Sequence, residues 1–216
     1  MSAPLSLFLL RTVLFPHMPL SLHIFEDRYR EMMNDCFEAG TSFGIVAIRE
    51  GVEVGPRAVP HRVGTLAKII HREDLADGRM NLLVTGATRF RLLRDLPGKP
   101  YRRADVEYLA EPTEDDIPDG MTAELVMAFE RYIHALQRVS GSGTSDVPSL
   151  PHEPEILSYL VAATLESTLM ARQQILEAGN LEQRIRLELS MLRREEDLIG
   201  RSVVPTAVSA GYFSLN

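Results

Sequence analysis

The feature that most constrains this chain is a change of period inside one apolar stretch, Leu9–Phe37. Leu5–Leu10 is a short, mostly apolar strand, broken at Arg11-Thr12 and resumed at Val13-Leu14-Phe15. Pro16 and Pro19 then remove two backbone donors, which places them at turns or strand edges, not inside a central strand. Leu20-Ser21-Leu22-His23-Ile24 alternates apolar with polar and predicts a half-buried strand. From Glu26 the spacing switches: Tyr29, Met32, Met33, Cys36 and Phe37 share one face of a helix, and Gly40 stands where a left-handed C-cap would end it.

The next segments are strands. Ser42–Ile48 is a compact apolar run. Residues 49–62 are polar and carry Gly51, Gly55, Pro56 and Pro60, which predicts a loop or hairpin arm. Val63–Ile70 and Asn81–Gly86 flank Asp77-Gly78, a hairpin signal, and Arg89–Leu93 follows after a short break. Pro97–Pro100 is a turn, and Arg103–Tyr108 alternates as a strand with one wet face. So many short strands with one helix cannot bury their faces as a flat sheet, so closure or half-closure into a barrel is expected.

Glu111–Gly120 is acidic, holds two prolines and is expected to be a solvated linker. Helical spacing dominates from there on. Leu125, Phe129, Tyr132 and Leu136 stripe Thr122–Ser140, and Ile156, Leu157, Leu160, Val161 and Leu165 stripe a third helix behind Pro154. Met170–Glu177 is a short helix. Asn180 and Gln183 form a capping-box pattern for a long last helix striped by Leu181, Ile185, Leu189, Leu192 and Ile199. The fold class expected is α+β, divided into a β-rich part at 1–111, a helical subdomain packed on it at 121–200, and a tail at 201–216.

Leu10-Arg11-Thr12-Val13-Leu14-Phe15-Pro16, followed by Met18-Pro19-Leu20, resembles the opening motif of the Lon substrate-binding domain family. Val63-Gly64-Thr65-Leu66-Ala67, Asp77-Gly78 and Leu83–Phe90 are similar to that family's second block, and Gln174–Glu177 with Arg184 to a later one. The resemblance runs from the first strand to the last helix. It implies a PUA-like β pseudobarrel followed by a C-terminal helical bundle subdomain, and a module that binds polypeptide, either unfolded segments or a partner protein. A full Lon protease adds an ATPase module and a protease module. Neither is readable here, so the expectation is a stand-alone, non-enzymatic protein.

The composition bears on partners. The net charge of −7 argues against a dedicated nucleic-acid binder and, as weakly, against an anionic membrane surface. The N-terminal apolar run lacks a basic leader and is too short to span a bilayer, so a cytoplasmic protein is expected. Cys36 is the one cysteine, excludes an internal disulfide and reads as a core residue.

No residues suggest catalysis. Gly98-Lys99 lacks the glycine spacing of a phosphate loop, with Leu93 where the first glycine should be and Pro100 after the lysine. Lys68 and Lys99 are the two lysines, and neither is placed as the base of a serine–lysine dyad. The six histidines show no metal-ligand spacing, although His61 and His71 flank one strand and could meet in space. No catalytic residue, metal site or cofactor is expected, and a homodimer is left open.

The binding expectation rests on Phe15, Met18 and Phe25 as apolar residues beside prolines at an open barrel rim. The alternative is RNA binding, since PUA-like barrels often bind RNA. It needs Arg89, Arg91, Arg94, Arg102 and Arg103 to form one exposed face, of which Arg89 and Arg91 alternate with Phe90 and Leu92 along one strand.

Overall fold

The computed structural model describes residues 3–52, 58–111, 117–140 and 150–203. The chain runs β1 (Ala3–Leu10), β2 (Pro19–Ile24), α1 (Asp27–Ala39), β3 (Phe43–Glu50), β4 (Val59–Pro60), β5 (Val63–Asp74), β6 (Met80–Leu96), β7 (Arg102–Tyr108), α2 (Met121–Ser140), α3 (Pro154–Thr164), α4 (Leu169–Glu177) and α5 (Leu181–Val203). The fold is α+β with a C-terminal helical part.

The sheet closes on itself. Its order is β1-β7-β6-β5-β3, and β3 returns to β1 through a parallel pairing of Leu7–Leu10 with Gly44–Ala47. Closure buries Leu7, Phe8 and Leu9 of β1 in succession, so both faces of the strand are apolar there. Leu5, Leu7 and Leu9 join Val46, Phe90, Ala104 and Val106 in one core. Phe8 packs in another, with Tyr29, Met32, Met33 and Cys36 of α1. The Gly40 C-cap has φ 61, the left-handed conformation that its position called for.

β6 is longer than its pattern announced. The break at Ala87-Thr88 does not interrupt it, and the 17-residue strand has different neighbours along its length. Its first half pairs with β2 from Met80 to Thr85, its second with β7 from Phe90 to Leu96, and β5 follows its other edge. Register shifts between Thr65 and Ala67, Ile69 and His71, and Leu92 and Arg94 supply the bends that curl the sheet. β4 is a short strand inside the segment expected to be a loop.

The second sequence block packs on itself. A Cβ on Gly64 would stand 2.8 Å from Phe90 Cζ, so only glycine leaves room for the buried ring. Thr65 Oγ1 donates to the Leu14 carbonyl at 2.6 Å and ties β5 to the segment between β1 and β2.

The helices share a core of their own, built from Leu125, Phe129 and Tyr132 of α2, Leu157 and Val161 of α3, and Leu181, Ile185, Leu189 and Leu192 of α5. A further cluster joins them to the barrel: Val13, Phe15, Ala47 and Val63 pack against Tyr159, Ala162, Ile175 and Leu176. Asn180 Oδ1 accepts from the Gln183 amide at 2.8 Å, which caps α5 as expected. The return bond differs, because Gln183 Oε1 accepts from Gly179 N at 3.3 Å. α5 extends to Val203, past the expected boundary at Gly200, and residues 204–216 of the expected tail lie outside the described residues.

Candidate functional site

The segment between β1 and β2 is shaped by its prolines. Met18 N donates to the Phe15 carbonyl at 3.2 Å, with Pro16 at the first corner of the turn and His17 at the second, where φ is 64. That is the pattern of a type II turn. The turn then docks on β6: His17 N donates to the Gly86 carbonyl at 2.9 Å, and Gly86 N to the Met18 carbonyl at 3.0 Å. A Cβ on Gly86 would collide with the Phe15 carbonyl, so the backbone contact requires glycine.

This geometry separates the three residues expected at the rim. Phe15 is 1% exposed, because the turn drives its ring into the barrel–helix cluster. There it lies 6.1 Å from the Tyr159 ring, with the Arg172 guanidinium 5.3 Å above it. The expectation of Phe15 at an open rim is therefore corrected: the helices cover it. Met18 is half-buried against the same cluster. Phe25 alone of the three is on the surface, 54% exposed and stacked on His23 at 6.0 Å between ring centres.

Phe25 borders a groove of about 230 Å³ between the end of β1 and β2. Phe8, Leu9 and Leu10 form one wall, Leu20 and Leu22 with their neighbours the other, and Tyr29 of α1 lines it as well. Glu26 is the one carboxylate in the lining, and Arg28 Nε donates to it at 2.9 Å. The groove thus offers apolar surface with its charge already compensated.

The five arginines do not form one basic face, which corrects the requirement of the RNA reading. Arg89 is 2% exposed. Its guanidinium donates to the Leu176 and Ala178 carbonyls at 2.9 and 2.8 Å and to Glu111 Oε1 at 3.0 Å. Arg91 pairs with Glu107 at 3.2 Å, Arg94 with Asp105 at 2.6 Å, and Arg102 with Asp95 at 2.6 Å. Arg103 is half-buried. Arg89 and Arg91 alternate with Phe90 and Leu92 along β6, but the end of α4 covers Arg89.

Glu111 was expected in a solvated linker and is instead a hub. Besides Arg89, its Oε2 accepts from Tyr159 Oη at 2.7 Å and lies 3.8 Å from Arg184 Nη1. The Arg184 guanidinium stacks 3.8 Å over the Tyr159 ring and donates through Nε to Ser158 Oγ at 2.8 Å. Ser158 in turn donates to Glu188 Oε1 at 2.7 Å. Arg184 and Glu188 are both fully buried, and burial pushes the Glu188 carboxyl up to about 8, opposed by the Ser158 hydrogen bond and the Arg184 charge. The helical spacing of Arg184 and Glu188 gave one hint, since both share a face with the apolar Leu181 and Ile185.

Other candidates have structural roles. Cys36 is buried, and burial raises its thiol pKa, which disfavours the thiolate. His61 is buried beside Glu177, 3.7 Å away, and burial lowers its pKa. His71 lies inside β5, which runs on to Asp74 and separates it from His61. Among the described residues, no cluster of histidine, cysteine and carboxylates could hold a metal ion, and no helix is long and apolar enough to cross a membrane.

The profile of the ATP-dependent protease La (LON) substrate-binding domain matches residues 4–194. The chain belongs to the Lon substrate-binding domain family. It is 26% identical over 191 residues to the Lon protease of Anaeromyxobacter dehalogenans, covering 87% of this chain and 22% of that protein. It is 25% identical over 189 residues to the Lon protease of Escherichia coli K12, covering 87% of this chain and 24% of that protein. The chain thus spans less than a quarter of the length of these Lon proteases. Its fold is shared with a Lon N-terminal domain protein from Xanthomonas campestris, at TM-score 0.68 and 23% identity, covering 87% of this chain and 98% of that one. The N-terminal domain of a Mycobacterium avium complex Lon protease superposes at TM-score 0.64 and 17% identity, covering 88% and 98%.

Proposed function

We propose that this Lon substrate-binding domain relative is a polypeptide-binding module that engages apolar segments exposed by unfolded or partner proteins, without ATPase or protease chemistry of its own. The observation that carries the reading is the groove between β1 and β2, apolar, charge-compensated and bordered by exposed Phe25. Burying apolar side chains there supplies the driving force, and ordering a flexible peptide offsets much of it, so binding is weak and fast. A reducing cytoplasm suits the unpaired Cys36.

The test is fluorescence anisotropy with a dye-labelled, reduced and carboxymethylated protein and with a labelled single-stranded RNA, each at low and moderate salt. The unfolded protein binds with little salt dependence, and Phe25→Ser weakens it by about tenfold. Tighter RNA binding that collapses as salt rises would overturn the reading. ATP turnover or casein cleavage that co-purifies with the chain and vanishes on mutating one of its residues would overturn the non-enzymatic part.

A further inference from the structure

Resting on the polypeptide-binding reading, we propose that the groove takes its polypeptide as an added β-strand on the outer edge of β2. The occupant is an extended, uncharged segment with apolar side chains at alternate positions. The β2–β6 register assigns the hydrogen-bonding direction of each β2 residue. Just before β2, Gly86 N donates to the Met18 carbonyl, and Leu20↔Val84, Leu22↔Leu82 and Ile24↔Met80 continue that phase two residues at a time. In an antiparallel ladder bonded and non-bonded pairs alternate, so Leu20, Leu22 and Ile24 point their backbone groups at β6. Ser21 and His23 therefore point their N–H and C=O groups away from it. Among the described residues, β2 pairs with β6 alone, and these outward backbone groups have no partner.

The groove lies along that edge. Its lining takes consecutive residues Leu20 to His23 of β2, whereas a pocket on one face of a strand would take alternate ones. The opposite wall supplies apolar side chains without a second row of donors at Leu9, whose N–H already donates to Tyr29 Oη at 3.4 Å. Edge hydrogen bonds specify an extended backbone, and the walls specify which side chains it carries. Charge complementarity selects a neutral segment, since Glu26 is already matched by Arg28. Pro19 has no donor and ends the ladder at one side, which limits the added strand to about the length of β2, at roughly 3.3 Å per residue.

The experiment uses a capped synthetic peptide of alternating leucine and serine, titrated into the full chain and followed by amide hydrogen exchange and anisotropy. Exchange at Ser21 and His23 slows by about tenfold or more at saturation, while Leu20 and Leu22, already bonded to β6, change little. N-methylating the peptide amides of one alternate set abolishes binding, and methylating the other set leaves it within about twofold. Binding without Ser21 and His23 protection, or equal effects of the two methylation sets, overturns strand addition and leaves the polypeptide-binding reading standing. Failure of both this peptide and the unfolded protein to bind overturns both.

Discussion

Arg89, at the barrel's buried waist, donates to the carbonyl of Ala178, which ends α4, at 2.8 Å. A strand side chain thus satisfies a helix terminus 89 residues away, where the last carbonyls have no partner within the helix. The same guanidinium holds Glu111, and Glu111 holds Tyr159 of α3. Barrel, connector and helices meet at one buried ionic group.

Arg89→Met leaves Glu111 and two carbonyls without their donor. Removing one partner of a buried pair costs about 3–5 kcal/mol, and urea denaturation should read a loss of that order. Arg89→Lys should recover little, since one ammonium cannot reach both carbonyls and the carboxylate with a planar fork. Wild type should unfold in one transition by near- and far-ultraviolet circular dichroism, because the apolar cluster from Phe15 to Leu176 spans both parts. Two separated transitions would show that the barrel and the helices melt independently.

Phe15 and Phe25 should behave in opposite ways. Phe15→Ser empties a fully buried site and costs about 3–5 kcal/mol of stability. Phe25→Ser, on the surface, should shift stability by less than about 0.5 kcal/mol while weakening peptide binding. Thermal melts beside anisotropy titrations separate the two effects.

Glu188 makes stability depend on pH. Its carboxyl is raised from 4.5 to about 8 in the folded state, so across that window the folded protein holds a proton that the unfolded chain releases. The stability is fully present below the ordinary carboxylate value and is lost as pH rises through about 8, at up to about 1.4 kcal/mol per unit. Glu188→Gln keeps an acceptor for Ser158 Oγ and removes the titration. Denaturation curves between these limits should be flatter for the variant; an unchanged slope would show that Glu188 stays ionised.

Gly86→Ala should destabilise the junction between the Phe15–Met18 turn and β6. The added methyl meets the Phe15 backbone carbonyl, which cannot rotate away as a side chain could. A cost of about 1–3 kcal/mol is expected. Because Gly86 also bonds Met18 and His17, exchange at the His17 amide should quicken in the variant.

The sequence by itself determined the elements and the family. The change of period at Glu26, the glycine after α1, the Asn180 cap and the apolar stripes of α2 and α5 are local signals, each decided by neighbours within a few residues. That the sheet must close or half-close was legible too, because so many short strands leave edges that must be paired; the parallel return of β3 to β1 was decided by the tertiary structure. What only the tertiary structure decided was which side chains face whom across the chain. Phe15 looks like a rim residue beside its prolines, but the type II turn and α3 bury it. Arg89 and Glu111 look like a surface charge and a linker charge, but the end of α4 and Tyr159 give them partners. The groove was half visible, in Phe25 and the alternation of β2. Its other wall comes from β1, brought there by the closed sheet, and the free edge of β2 follows from a register set by β6. Short-range spacing encodes which face of an element is apolar; it does not encode which other element will cover that face.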